Sequence, residues 1–540
     1  MSKSVPKSHL RFLLGWGAVF CFGLLLYRFR YVLIDDPYIT FQYARNVVEG
    51  NGLVFNPGER VEGYSNFLWL WISALVLFMG AKDPLFAVQG LSVVISFGVL
   101  LLMSVGLRGR WKDHDGRGLG DSPFGAVLLA CSYPFAVWSW GGLETVQFAA
   151  VVFLCALFTA RCVVRPGSYT PYTLGFLLLI GGLSRPEGPM VLVFPIAAGA
   201  IVFWRSKILS KNLMVPFIIF TIGYGFYLAF RIYYYGTIIP NTVTAKVGGS
   251  LFSSIRNGVG YFWEYAIGAP LLLFALAVVI LIRAIIQTRA TKNTSGLNES
   301  SLLIILCASF IMLQAVFIIL VGGDWMPGMR FIVPLLPCLC FMAGRQLERF
   351  PRFVAIVLLG FFAITVPIEA HRERVFGYQS LEWLRRSAQN ERTTISLQRV
   401  GEEIATLAKG NESIAVSEAG VIPYYSRLRT IDMLGLIDPE IGSLGGGLHE
   451  NYSGSIVLDR EPELILLIFR EVSVPQEKGK LPVLELQAEF ASDRAVLKEP
   501  RFAQHYTELR RWPRKIMDPG SLKVLPGYFV LYQRVAEPTQ

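Results

Sequence analysis

Two adjacent carboxylates, Asp35 and Asp36, open the segment IDDPYITFQYARN (34–46), soon after an apolar run at 12–27. A carboxylate placed there can take a proton from an attacking hydroxyl, and the like charge beside it raises the proton affinity of one of the two. Further polar segments break the apolar sequence in the same manner: NPGERVEGYSNF (56–67), GGLET (141–145), SRPEGP (184–189), IIPNTVTAK (238–246) and GGDWMPGMR (322–330). Together they supply carboxylates (Asp35, Asp36, Glu144, Glu187, Asp324), cations (Arg45, Arg185, Lys246, Arg330), the amide of Asn241 and the aromatics Tyr38, Tyr43, Tyr64 and Trp325. That set suits a reaction on a phosphorylated lipid: a carboxylate serves as general base, guanidinium or ammonium groups hold a phosphate as its charge develops, and aromatic faces stack on sugar rings. Each segment alone also has a plainer role. The aspartate pair would end a span in solvent, SRPEGP would be a turn, GGLET a helix start favoured by Glu144, and GGDWMPGMR a loop anchored by Trp325. Their joint occurrence favours chemistry.

The elements that must carry these segments are membrane helices. The chain has 540 residues, 53% of them hydrophobic and only 16% charged, with a mean hydropathy of +0.48; ordinary soluble domains carry about 25% charged residues. A basic start followed by the run at 12–27, without a small-residue cleavage site, is an uncleaved signal-anchor. The run at 67–79 is too short to span and, with Trp69 and Trp71, is expected at the outer interface within a first outer loop, 34–83. Further runs lie at 84–107, 123–140, 145–163, 172–184, 188–204, 213–235, 259–282, 301–321, 331–347 and 353–368. The expected fold is a polytopic α-helical bundle of about 11 transmembrane helices. The inner segments of this arrangement hold about twice as many Lys and Arg as the outer ones, which puts the amino terminus in the cytoplasm and all the interrupting segments outside.

The net charge of +11 is dispersed in short clusters between apolar runs, so a nucleic-acid partner is excluded and a lipid bilayer is expected instead. The seven cysteines all lie in or beside apolar runs, with no paired spacing that would make a disulfide framework or a metal site. A transporter or flippase of lipid-linked sugars is the competing class, but it calls for charges near the bilayer midplane and repeated halves. Arg231 and Glu264, the charges within expected spans, both fall near the outer end. A scaffold with a sensing tail would not need five acidic positions on one face.

The order D-D-x-Y-I, F-N-P-G-E-R-V-E-G-Y-S-N-F-L-W, G-L-E-T, R-P-E-G, P-N-T and G-G-D-W-M-P-G-x-R resembles bacterial membrane glycosyltransferases of the GT-C superfamily. It is most similar to the branch containing the terminal arabinofuranosyltransferases of actinobacterial cell walls. Pro37 and Val146 depart from residues common there. The resemblance, which covers about residues 30–340, implies a GT-C-like bundle and a sugar donor linked to polyprenyl phosphate. It also implies transfer with inversion to a glycan, lipid or protein acceptor of the cell envelope, at the outer face of the bacterial plasma membrane. It implies Asp35 or Asp36 as the base, with Arg330, Lys246 and Arg185 at the donor phosphate and Tyr38, Arg45, Glu144, Glu187, Asn241, Asp324 and Trp325 at the substrates. Metal dependence varies across the superfamily and no metal is assigned.

Residues 1–368 are thus expected to form the catalytic membrane domain and 369–540 an extracytoplasmic α/β domain. In the latter, LEWLRRSAQ (381–389) and LQRVGEEIATLAKG (397–410) have helical periodicity, while SIAVSEAG (413–420), LILLIF (464–469) and FVLYQRV (529–535) have that of strands. The segment GVIPYYSRLRTIDMLGLIDPEIG (420–442) either packs this domain or faces the acceptor and covers the site.

Overall fold

The structure is a computed structural model that describes residues 7–30, 34–112, 118–207, 210–246, 250–290, 297–326, 328–372, 393–446, 451–474, 483–517 and 524–535. Among them, eight helices are long and apolar enough to cross a membrane: Arg11–Phe29, Leu85–Val105, Thr145–Val164, Gly188–Ser206, Lys211–Tyr235, Ala269–Ala290, Glu299–Val321 and Arg330–Leu347. The chain is therefore a multi-pass membrane protein. Shorter apolar helices occupy Phe67–Phe78, Thr170–Ser184 and Arg352–Ala363.

The expected count of about eleven spans is not reached by these criteria, for local reasons. The run at 123–140 divides into Pro123–Ala130 and Tyr133–Trp140, since Pro134 has no N–H with which to continue the first helix and is accommodated in the first turn of the second, after an extended Ser132. The run at 259–282 is corrected to parts of two helices, Leu251–Ala266 and Ala269–Ala290. Gly268, with φ +91°, turns the chain between them. Of the tail elements, 397–410 lies largely in the helix Thr393–Leu407, whereas LEWLRRSAQ lies outside the described residues.

The chain packs as two compact units, each discontinuous. One comprises Met1–Arg30, Phe86–Phe230 and Leu251–Leu381; the other comprises Tyr31–Leu85, Arg231–Ser250 and Glu382–Gln540. The first outer loop is thus in one packing unit with the carboxy-terminal segment.

Of the candidate spans, Thr145–Val164 and Arg330–Leu347, both in the first unit, are the most enclosed, with 83% and 94% of their most apolar windows buried. GGLET and GGDWMPGMR sit at the amino-terminal ends of these two inner helices. Close approach is achieved by small residues: a Cβ on Gly344 would collide with the backbone of Gly125, and one on Gly125 would meet the carbonyl of Cys340. Ser122 caps the helix Pro123–Ala130 by accepting from the Gly125 N–H. Below it, the buried Asp121 carboxylate pairs with Arg11 at 3.1 Å.

Two strands, β1 (Leu107–Lys112) and β2 (Gly118–Leu119), form an antiparallel hairpin in that unit. The second unit holds a mixed six-stranded sheet of β3 (Ser413–Val416), β4 (Arg429–Asp432), β5 (Leu464–Val474), β6 (Val483–Ala488), β7 (Tyr506–Met517) and β8 (Val524–Arg534). β3 runs parallel to both β4 and β5, and β5 is antiparallel to β8, as β8 is to β7. The unbroken apolar run LILLIF marks β5 as the central strand, buried on both faces. Ile465, Leu467, Val530, Val496 and Ile441 meet in its core.

The first outer loop is folded by its own polar side chains. Pro37 begins the helix Pro37–Val48, where a missing N–H costs nothing. Asn46 donates to the carbonyls of Val54 and Phe55 at 2.9 and 2.7 Å. The Tyr43 hydroxyl donates to Val61 O and accepts from the Gly63 N–H, both at 2.7 Å. Glu62, only 1% exposed, takes Nε and Nη2 of Arg231 at 2.9 and 2.8 Å. Tyr235, one helical turn beyond Arg231, donates to Leu53 O at 2.7 Å. Trp69, expected at the interface, is fully buried instead, while Trp71 is 45% exposed.

Two outcomes follow from this packing. Gly344→Ala should force the helices Pro123–Ala130 and Leu336–Leu347 apart, at a cost of about 1–3 kcal/mol as other overpacking substitutions show, and lower the melting temperature of detergent-purified protein. Glu62→Gln should strand the Arg231 guanidinium in a buried setting at a cost of about 3–5 kcal/mol; thermal unfolding unchanged from wild type would show that the pair carries no such load.

Candidate functional site

In the second unit the candidate residues converge on the segment 420–442. The Asp35 carboxylate, partly buried, accepts the Val421 N–H through Oδ1 at 2.7 Å. Burial first, and then the Glu418 and Asp36 carboxylates, push its pKa up to about 8 against the lowering effect of the Val421 and Gly420 N–H groups. A carboxylic acid held near that value is a stronger proton acceptor once ionised than a solvated aspartate. Asp36 stands instead at the start of the helix Pro37–Val48 without a side-chain capping bond. The two aspartates are thereby made chemically unequal.

Tyr38 and Arg45 are built into the floor beneath them. The Tyr38 hydroxyl donates to Asp83 Oδ2 at 2.7 Å, and Tyr425 donates to the same oxygen at 2.7 Å. Asp83 Oδ1 accepts the Leu85 N–H at 2.8 Å. Arg45, 8% exposed, donates to Tyr424 O at 2.6 Å and to the Gln42 side chain. Its guanidinium lies 4.2 Å from the Tyr424 ring centroid. Asn56 closes the far end by exchanging two bonds with the Thr430 backbone, at 2.8 and 2.9 Å. Asn241 donates to Gly435 O and Leu436 O, both at 2.9 Å. Lys246 ends the short helix Asn241–Lys246 and is partly buried. Several side chains singled out as substrate contacts are therefore engaged with backbone, and they shape the loops that hold the aspartates.

In the first unit the remaining candidates form a second constellation. Arg185 bonds Glu187 through Nε at 2.6 Å and Glu144 through Nη1 at 3.2 Å, all three side chains being nearly inaccessible. Arg330 grips Asp324 with two parallel bonds, Nε–Oδ2 at 2.7 Å and Nη2–Oδ1 at 3.2 Å. Both guanidinium groups lie near the Phe331 ring, with centroid distances of 5.5 Å for Arg185 and 5.2 Å for Arg330. Sequence-distant motifs SRPEGP, GGLET and GGDWMPGMR are thus joined. The bend that allows this uses left-handed backbone at Gly322, Gly323, Gly328 and the non-glycine Met329 (φ 54°). Trp138 fastens it by donating to Gly328 O at 2.9 Å. Trp325 is 40% exposed.

Sequence reading overlooked Glu62, Asp83, Tyr425 and Phe331 as parts of these constellations. Glu62 stood in a motif already singled out, and Arg231 was noted as a charge within a span, so their pairing had a signal. Tyr425 lay in the segment 420–442 already singled out, while Asp83 carried no signal of its own, and only the fold brings the two together.

Residues 381–529 match a family described as a domain of unknown function, DUF8728. The chain is 27% identical over 360 residues to the terminal beta-(1->2)-arabinofuranosyltransferase of Mycobacterium tuberculosis, covering 62% of this chain and 54% of that protein. It is 26% identical over 338 residues to the protein of the same name from Corynebacterium glutamicum, covering 56% of this chain and 46% of that one. The chain spans about half the length of these curated relatives. Two solved structures of ArnT from Cupriavidus metallidurans are also similar. The one bound to undecaprenyl phosphate has a TM-score of 0.48 at 14% identity, covering 81% of this chain and 88% of that one. The apo form has a TM-score of 0.46 at 13% identity, covering 84% and 92%. The chain is thus similar to the terminal beta-(1->2)-arabinofuranosyltransferases of Mycobacterium tuberculosis and Corynebacterium glutamicum.

Proposed function

We propose that this protein is an inverting glycosyltransferase that moves a sugar from a polyprenyl-phosphate donor to a cell-envelope glycan, lipid or protein acceptor. The observation that carries the reading is the pairing of a partly buried Asp35 carboxylate of raised pKa with alignment to enzymes named as arabinofuranosyltransferases. Asp35 takes the proton of the acceptor hydroxyl as that oxygen attacks the anomeric carbon. The bond from that carbon to the phosphate oxygen breaks, and the electron pair leaves with the polyprenyl phosphate. Arg330, Arg185 and Lys246 are the cations for that phosphate; Asp324, Glu144 and Glu187 hold the two arginines in place, as second partners to a planar fork. Asp36, Tyr38, Arg45 and Asn241 shape the loops around the base, and Trp325 offers an exposed ring to sugar. The reaction is assigned to the outer face of a bacterial plasma membrane, with the amino terminus in the cytoplasm and residues 369–540 outside. Asymmetry in Lys and Arg along the sequence supports that orientation. No feature favours a flippase.

Asp35→Asn should lower transfer by about 100-fold or more, the usual worth of a general base, and Asp36→Asn by less. A synthetic short-chain polyprenyl-phosphate arabinofuranose with a short arabinofuranoside acceptor provides the assay; full activity of Asp35→Asn would overturn the assignment. Because the base must be ionised, kcat/KM should climb with pH through about 8, whereas an aspartate of ordinary pKa would give a flat profile above pH 6 or so. Arg330→Lys removes one arm of the fork and should weaken use of the donor roughly 10- to 100-fold, the worth of one hydrogen bond to a charged group. Wild-type donor kinetics in that variant would leave Arg330 as an element of the loop alone.

A further inference from the structure

Asp35 is met from the carboxy-terminal segment by the turn that follows β3, Ser417 to Val421. The approach is so close that a Cβ on Gly420 would collide with both the carbonyl and the carboxylate of Asp35, while the Val421 N–H holds Oδ1 at 2.7 Å. The same turn carries Glu418, and Arg514 reaches it from β7 with Nη2 at 3.4 Å from Glu418 Oε1. Arg514 is shared: Nη1 is also 3.6 Å from Glu489 Oε2. Arg514 thus faces two carboxylates, while Arg470 also acts on Glu489 from β5. Bonding in this cluster is incomplete, since Glu418 Oε2, Glu489 Oε2 and Arg514 Nη1 are buried without a hydrogen-bond partner among the described residues. Unsatisfied buried groups cost stability, so a cluster retained for packing alone would be a poor solution.

We propose that Glu418 and Arg514 are positioning residues for Asp35, which clamp its carboxylate through the Ser417–Val421 turn and set the charge it experiences, so that the carboxy-terminal segment is part of the proton-abstracting apparatus. This deepens, and rests on, the reading of Asp35 as the base. Besides Glu418 and Arg514, the charged group facing Asp35 is Asp36 on its own segment. Glu418 disfavours ionisation of Asp35 and Arg514 favours it, so the two have opposite signs. A merely structural pair would move both variants the same way, through loss of fold.

The test is an infrared titration of the full-length protein in detergent, following the carboxylic acid band that is absent from Asp35→Asn. Glu418→Gln should shift its midpoint to lower pH and Arg514→Gln to higher pH, each by about one pH unit, and Arg514→Lys should restore the wild-type midpoint. The acid limb of the transfer rate should move in the same directions. Midpoints that stay put, or that shift in one direction for both variants, overturn the proposal. Should Arg514→Gln fail to fold, Glu418→Gln and Arg514→Lys decide: a lowered midpoint in the first beside an unchanged one in the second supports the clamp, and any other pattern overturns it. Because the band reports Asp35 without substrate, this result is separable from the proposed function, which falls instead if Asp35→Asn transfers sugar at the wild-type rate.

Discussion

A charged or polar side chain taken out of water must find partners, and that constraint organises this protein outside its apolar spans. The loop after the first membrane helix buries Arg45, Asn46, Asn56, Glu62 and Asn66. Arg45 turns to Tyr424 and Gln42, Asn56 to Thr430, and Glu62 to Arg231. Apart from the Arg45–Gln42 bond, each of these ties the loop to chain far away in sequence, so the loop is ordered by the carboxy-terminal segment and by the end of the helix Lys211–Tyr235. The aspartate pair is held on this frame, where burial and the neighbouring carboxylates raise the proton affinity of Asp35.

The same constraint has a different solution in the membrane-helix unit. Arg185 is shared by Glu144 and Glu187, and Arg330 is matched to Asp324 in fork geometry. Buried ion pairs contribute little net stability, because desolvation offsets attraction. What they secure is the direction in which a guanidinium points. The positive-φ backbone at Met329, beside Arg330, is a local cost of that placement. Both arginines lie within 6 Å of the centroid of the Phe331 ring.

The carboxy-terminal segment is commonly expected of a membrane enzyme as an appendage, but here its 420–442 stretch supplies the partners of Asp35, Arg45, Asn56, Asp83 and Asn241. Tyr424 and Tyr425 pack edge-on and tilted against Tyr38 while their polar atoms bond Arg45, Lys82 and Asp83. The tyrosines hold the helix of Asp36 and Tyr38 by the same contacts that fold this unit.

Length and period of the apolar runs, together with the charges between them, were enough to determine a multi-pass helical protein, most of its helix positions and the strands at 413–416, 464–469 and 529–534. These are properties of short stretches, set by backbone saturation in lipid and by the two periodicities of helix and strand. Tight motifs such as D-D-x-Y-I and G-G-D-W-M-P-G-x-R likewise revealed the candidate site, because each keeps its polar groups within a few residues. Breaks at Ser132 and Gly268 were less legible, since one proline or glycine in an apolar run has more than one outcome until neighbouring helices pack on it. Only the tertiary structure decided that Asp35 accepts the Val421 N–H while Asp36 begins a helix, that Arg185 is shared by Glu144 and Glu187, and that the turn carrying Glu418 approaches Asp35. Those facts depend on residues from about forty to nearly four hundred positions apart reaching hydrogen-bond distance, and on burial that changes the energy of a charge, and no local pattern encodes either.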